Sequence, residues 1–302
     1  MFEFEHLLTD ELVLFGLPLF SGAIALEAWL AHRRGERRYS KADTATSVGL
    51  MLVAGVVELL PRQAAILLMV VLHEISPLRD VVERQWWAWV LLFFLDDIAF
   101  YWWHRASHEI RVLWAGHVNH HSSAYMNLGT GIRAGVGERF TRMGFWLWIP
   151  LLGFDVGMML VMMMLSLFYK FWLHQPRVPK LGRAVELIFN TPSHHRVHHA
   201  SNPRYLDANH GGMLILWDRL FGTYVEEYES DPCVYGLTRP IDAHSFVSTV
   251  THEYESLWRD LKRAPDWRCR MRYLFLAPGW SHDREDRRVR RGVLPQRVSV
   301  FP

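Results

Sequence analysis

The sequence predicts an all-α integral membrane protein whose cytoplasmic side carries a histidine-ligated dinuclear metal site. Three observations predict it. Half of the 302 residues are hydrophobic, and they gather in long stretches separated by charged ones. Eleven of the 17 histidines fall between His104 and His210. Most of these recur three or four positions apart, a spacing that turns imidazoles toward one point on an α-helix.

The elements follow in order. Leu12 to Ala31, LVLFGLPLFSGAIALEAWLA, is long enough to cross a hydrocarbon core of ~30 Å at ~1.5 Å per residue. HRRGERR follows at once, and a basic cluster beside a span marks the cytoplasmic side, so the N-terminus is expected outside. That terminus is acidic (Glu3, Glu5, Asp10, Glu11) and lacks the basic region of a cleavable signal. Thr44 to Leu72 is apolar but interrupted by Glu58, Pro61 and Arg62; it reads as one tilted or kinked crossing, with two short membrane-embedded helices as the alternative.

Gln85 to Trp103 is the next expected span, and the first histidine pair, His104 and His108, grows from its end. Asp96 and Asp97 lie inside it. Carboxylates at membrane depth are costly and are candidates for function, whereas near the interface they would merely snorkel. Asp97, Tyr101, His104 and His108 occupy one helical stripe, so Asp97 or Tyr101 is expected to hydrogen-bond the far nitrogen of a ligating imidazole.

His117 to Arg133, HVNHHSSAYMNLGTGIR, suits a short ligand helix running into a loop. Phe140 to Leu173 is apolar again, with Pro150, Gly153 and Asp155 in its middle, and reads as a hairpin that leaves and returns on one side. It brings His174 back to the face of the other histidines. An odd number of crossings before His104 puts all of them in the cytoplasm. In NTPSHHRVHH, Asn190 to Pro192 starts a helix that carries His195, His198 and His199 on its first turns, with His194 just before them. The stretch LDANHGGMLILWDRLFGTY is expected to floor the site, with His210 in a hydrogen-bonding role or as an extra ligand. Pro232 to Pro302, with Arg287, Arg288, Arg290 and Arg291, reads as a solvated region, anionic headgroups being its alternative neighbour.

The candidate metal ligands are His104, His108, His117, His120, His121, His174, His195, His198 and His199. About four ligands satisfy a structural zinc and about three a catalytic one, so this set implies two ions. Lone histidines such as His73 and His252 read as hydrogen-bonded core residues. A formal net charge of +2, with no zinc finger, phosphate loop or repeat, excludes a nucleic-acid partner. Cys233 and Cys269 make no CxxC pair and support neither a disulfide framework nor a cysteine-bound metal.

HRASH at 104–108, HVNHH at 117–121 and HRVHH at 195–199, with NTPSH and WDRLFGTY beside them, resemble the fatty acid hydroxylase superfamily, also called the sterol desaturase family, of integral-membrane di-iron enzymes. HHSSAYMNLGTGIR, FWLHQ and LDANHGG look most like its alkylglycerol monooxygenase-like branch. The resemblance covers roughly residues 90–225. It implies a small transmembrane helix bundle beneath a cytoplasmic helical cap, with membrane helices in 1–84, a catalytic domain with its hairpin in 85–225 and a charged cytoplasmic region in 226–302. It also implies two Fe ions held by the nine histidines, O2 as co-substrate, and a membrane lipid as substrate: a fatty acyl chain, an alkyl ether lipid or a sterol.

No HPGG-type haem motif is present, so electrons are expected from a separate donor, a reduced pterin or a redox protein such as a reductase. Lys170 stands where some relatives have a further histidine, and His210 where many of the closer branch have tyrosine. Oxidising an unactivated C–H bond requires electrons that side chains cannot supply; imidazole suits iron, and zinc has no redox chemistry. Hydroxylation and desaturation both remain open on this sequence. A zinc hydrolase would show HExxH, which none of the His-Glu pairs at 73, 108 and 252 completes. A non-catalytic metal-binding protein would have low-complexity tracts, unlike these helix-spaced histidines.

Overall fold

The computed structural model describes residues 11–239, 241–242, 245–283 and 288; Glu3, Glu5, Asp10, Arg287, Arg290 and Arg291 lie outside the described residues. Among the described residues there are thirteen α-helices and no strand, only the isolated bridges Phe189–Leu214 and Ala200–Tyr235. The all-helical expectation holds.

Helix α1 (Glu11–Arg33) covers the first expected span. The 44–72 region forms two helices, α2 (Lys41–Val57) and α3 (Leu59–Glu74), bent by 53° at Glu58. Pro61 sits in the first turn of α3, where its missing N–H costs nothing, and the Glu58 carboxylate accepts the Gly137 N–H at 2.5 Å. The bend is therefore fixed by a contact 79 residues away, not by proline alone.

Helix α4 (Trp86–Glu109) carries the first histidine pair and turns at one extended residue, Ile110, into α5 (Arg111–His121) with the second group. After the single turn α6 (Leu128–Gly131), the expected hairpin is present. It descends through α7 (Glu138–Gly144) to the 3-10 turn Pro150–Leu152 and returns as α8 (Val156–Leu173). At the turn Gly153 has φ 88°, and a Cβ there would stand 2.4 Å from the Leu78 carbonyl oxygen, so only glycine fits. Ser76 Oγ donates to Leu151 O at 2.8 Å, Asp155 caps α8, and Arg84 pairs with Asp155 at 2.9 Å. The α3–α4 connection and the hairpin turn thus meet at one end of the bundle, and His174 emerges at the other beside the histidines of α4.

Between these helices lies the main core, built on Met69, Leu92, Phe100, Trp103, Trp146 and Met158. The short helices α9 (Arg183–Ile188), α10 (Pro192–His199) and α11 (Leu216–Phe221) complete the histidine end, and α12 (Phe246–Arg263) and α13 (Trp267–Phe275) pack against α5. Among the described residues α8 is long and apolar enough to cross a membrane, and α2 with α3 passes the same test if the bent pair counts as one span. The stretch from Gln85 to Trp103, expected as a span, is helical from Trp86 but does not pass that test.

Candidate metal centre

The nine histidines come together as two adjacent sets. His104, His108, His117, His121 and His198 form one; His120, His174, His195 and His199 form the other; within each set the nearest ring nitrogens all lie within 4.8 Å. All nine are buried or nearly so.

Helical geometry explains the partition. Each residue advances ~100° around the axis, so i and i+4 differ by only ~40° while i+3 falls on the opposite side of i. The i,i+4 pairs stay together: His104 with His108, His117 with His121, His195 with His199. The middle members, His120 and His198, cross to the other set. Each HxxHH motif therefore serves both sets.

The tautomers are fixed from outside. His104 Nδ1 donates to His210 O at 2.8 Å, His198 Nδ1 to Ala208 O at 2.9 Å, His120 Nδ1 to Arg133 O at 3.0 Å, and His174 Nδ1 to Lys170 O at 3.0 Å. Their Nε2 lone pairs consequently point inward. His120 and His174 face each other across 3.4 Å with two bare lone pairs, an arrangement that calls for a cation. The other close Nε2 pairs are His104–His117 at 3.1 Å, His117–His121 at 3.2 Å, His174–His195 at 3.0 Å and His195–His199 at 3.1 Å. Nitrogens ~2.1 Å from one ion are ~3.0 Å apart at right angles and ~3.4 Å apart at tetrahedral ones, so these spacings suit ligands of a common ion. His108 Nε2 and His198 Nε2 are buried without a hydrogen-bond partner. Burial holds the rings neutral, the metal-binding form: His120 is pushed down to about 4 and His198 to about 3, and His121, His195 and His199 lie well below the ordinary histidine value. The residues present fit a pair of imidazole-bound ions.

One loop, 207–214, supports the first set. Asp207 Oδ1 lies 3.2 Å from His108 Nδ1, and the carbonyls of Ala208 and His210 take the protons of His198 and His104. Two carboxylates hold the loop. Asp218 accepts the N–H groups of His210 and Gly211, both at 2.7 Å; Asp97 accepts those of Met213 at 2.6 Å and Leu214 at 3.0 Å, and the Trp217 indole at 2.9 Å. A Cβ on Gly212 would stand 2.5 Å from Asp97 Oδ1, and one on Gly211 2.4 Å from Leu214 O, which accounts for the glycine pair.

Asp97 and Tyr101 thus differ from expectation. The described bonds of Asp97 go to the loop, and Tyr101 Oη meets Thr223 Oγ1 at 3.1 Å and Arg105 at 3.2 Å; neither reaches an imidazole. Asp97 acts on His104 only by holding the loop whose carbonyl binds it. Asp96 accepts the Trp146 indole at 2.7 Å and faces the helical core. His210 hydrogen-bonds through Nε2 to Asp207 O at 3.0 Å, and His194 sits 2.9 Å from Glu186, facing away from both sets. Asp207, Glu138, which lies 3.7 Å from His117 Nδ1, and Arg133 also support the histidines, and no motif or helical spacing in the sequence marks them.

Comparison with known proteins agrees with this geometry. Residues 89–223 match the fatty acid hydroxylase family model. An alkylglycerol monooxygenase from Danio rerio is 36% identical over 265 residues, 87% of this chain and 58% of that protein; its counterpart from Homo sapiens is 34% identical over 269 residues, 87% and 59%. A fatty acid hydroxylase vlmA from Lecanicillium sp is 27% identical over 196 residues, 56% and 52%. The chain thus spans little more than half the length of these relatives. No solved structure matches it significantly. Residues 89–223, with all three histidine groups and the loop that supports them, therefore form a fatty acid hydroxylase family domain.

Proposed function

We propose that this chain is a membrane-bound, O2-dependent, non-haem di-iron lipid hydroxylase. The observation that carries the reading is the pair of buried all-imidazole sets, in one of which the Nε2 lone pairs of His120 and His174 face each other at 3.4 Å. His104, His108, His117, His121 and His198 would hold one iron, and His120, His174, His195 and His199 the second. Bound iron supplies the reduction of O2, with electrons from a separate donor, a reduced pterin or a redox protein.

The chain's own residues set the conditions. The carbonyls of Arg133, Lys170, Ala208 and His210 keep the Nδ1 protons outside, and the buried wall of Phe100 and Trp103 excludes water below His104. The apolar helix α8 leads directly to His174, so an acyl chain, alkyl ether lipid or sterol reaches the site from the bilayer without passing through water. The names of the relatives, alkylglycerol monooxygenase and fatty acid hydroxylase, support a lipid substrate. In this reading the catalytic unit is 85–225, flanked by membrane helices in 1–84 and a charged region in 226–302, in a multi-pass chain with its histidines in the cytoplasm.

The test is lipid mass spectrometry of aerated cells expressing the wild type or His198→Ala, with iron counted in each purified protein. One oxygen gained in a lipid class, only with the wild type, supports the proposal and names the substrate class. Loss of two hydrogens makes the enzyme a desaturase. A folded, iron-loaded wild type that changes no lipid in cells supplied with reduced pterin would leave a non-catalytic metal protein.

A further inference from the structure

The two C-terminal helices carry an apolar surface that the rest of the described chain leaves uncovered. On α13, Tyr273 faces inward against Trp280, while Trp267, Met271 and Phe275 fall at i, i+4 and i+8 on one outer stripe, 67%, 41% and 58% exposed. Helix α12 adds Val247 and Trp258. A helix apolar on both its inner and outer faces is missing a partner. The charges beside the stripe specify which. From 267 to 275 there are three arginines, Arg268, Arg270 and Arg272, and no acid. The nearest acids are engaged: Asp266 caps α13, and Asp260 pairs with Arg111 at 2.8 Å. Cations lie over the exposed rings, Lys262 5.0 Å from Trp258 and Arg268 5.7 Å from Trp267. Exposed rings interleaved with arginine fit the headgroup layer, where rings enter the acyl boundary and cations meet phosphates.

The surface also adjoins α2, which is apolar enough to be embedded when the bent pair α2 and α3 counts as one span. Phe246, which opens α12, packs on Gly49 of α2, where a Cβ would stand 3.2 Å from its ring. Helix α2 in turn exposes Val48, Leu52 and Val56, and with α3 forms the bent pair that could be one span.

We infer that α12 and α13 dock on an anionic phospholipid surface, with the Trp267–Met271–Phe275 stripe in the headgroup layer. This rests on the membrane reading given above. Docking reaches the metal centre through Arg111, the first residue of α5. Its N–H donates to Leu276 O at 3.1 Å, and its guanidinium donates to Glu253 and Asp260, both at 2.8 Å, and to Ser256 at 3.1 Å. The helix that bears His117, His120 and His121 is therefore pinned to the docked pair.

The experiment uses the full chain with Cys233→Ser and Cys269→Ser, in phosphatidylcholine nanodiscs with or without phosphatidylserine. Nitroxides are placed at Trp267→Cys and Phe275→Cys, with Leu165→Cys on the exposed side of α8 as membrane reference and the exposed Glu229→Cys, outside α12 and α13, as solvent reference. Collision with O2 reports lipid, and collision with a water-soluble nickel chelate reports solvent. Docking predicts O2 preference at 267 and 275 with phosphatidylserine, loss of that preference without it, and nickel preference at 229. Replacing Arg268, Arg270 and Arg272 by Gln lowers the docked-to-free ratio about fivefold per arginine. Nickel preference at 267 and 275 in phosphatidylserine, while 165 stays lipid-like, overturns docking but leaves the membrane reading standing. Nickel preference at 165 overturns both. Equal O2 preference in neutral lipid overturns the anionic requirement, and spin–spin broadening between chains makes the stripe an interface between copies.

Discussion

Arg133→Met tests the internal support of the second histidine set. Arg133 has no exposed surface; its Nε donates to Asn119 O and Ser122 Oγ, both at 3.0 Å, and its Nη1 to Asp43 Oδ1 and Ser47 Oγ, both at 3.2 Å. Its own carbonyl takes the His120 proton. Methionine fills much of the volume but leaves the Asp43 carboxylate, which is 3% exposed, without its cation and with the Ser123 hydroxyl as remaining donor at 2.9 Å. A buried charge that loses its partner costs about 3–5 kcal/mol. At ~2.1 cal/mol/K of unfolding entropy per residue, a chain of 302 residues changes by ~0.6 kcal/mol per degree, so Tm should fall by about 5–8 °C. The assay is thermal unfolding in detergent with iron counted per folded chain, and iron should drop toward one as the residue-133 carbonyl that takes the His120 proton is no longer held in place. Adding Asp43→Asn removes the stranded charge, so the double variant should recover about 2 kcal/mol or more over simple addition. Additive losses would refute the buried-pair argument, and full iron loading would refute the link to His120.

Three further outcomes follow from the same geometry. Asp97→Asn keeps the shape but turns an amide donor toward the N–H groups of Met213 and Leu214 and the Trp217 indole, so iron affinity should fall about 10–100-fold in a chelator competition; unchanged affinity would show that the 207–214 loop does not orient its histidines. Gly135→Ala would put a Cβ 1.6 Å from the carbonyl oxygen of Gly116, next to His117, and should abolish the monodisperse peak in size-exclusion chromatography, which a normal elution profile would contradict. In the metal-free chain, burial depresses His120 to about 4 and His198 to about 3, below the ~6.5 of an unfolded histidine. The unfolded state then binds more protons between those values, so stability is full above pH ~6.5 and falls toward pH ~4 by about 1.4 kcal/mol per pH unit per histidine. A flat Tm from pH 7.5 to 5 would rule this out.

The sequence made the helices and histidine groups legible because both depend on near neighbours in the chain. HxxxH and HxxHH need only helical geometry, and the hairpin at 140–173 announced itself through Pro150, Gly153 and Asp155. The supporting contacts were not legible, because their partners are far apart in sequence: Asp43 to Arg133 spans 90 residues and His108 to Asp207 spans 99. Asp97 shows how a correct stripe gave a wrong contact. It shares a helix face with His104, but seven residues at ~1.5 Å put them ~10 Å apart along the axis, beyond the reach of an aspartate. The side chain turns outward to another segment instead. The bend in 44–72 was legible through Glu58, Pro61 and Arg62, but not the contact that fixes it, since the Gly137 N–H arrives from the hairpin.

The exchange of His120 and His198 between the two sets has a consequence for assembly. Helix α5 contributes two imidazoles to one set and one to the other, and α10 does the same in reverse. An ion entering either set must immobilise both helices, which already positions His120 or His198 for its neighbour. The second ion therefore meets a site whose ordering entropy has been spent, and binds more tightly than the first. Iron titration of the stripped chain should be cooperative, with singly loaded molecules scarce at half saturation. On the di-iron reading proposed above, such an arrangement would guard against a single reactive iron exposed to O2 without its companion.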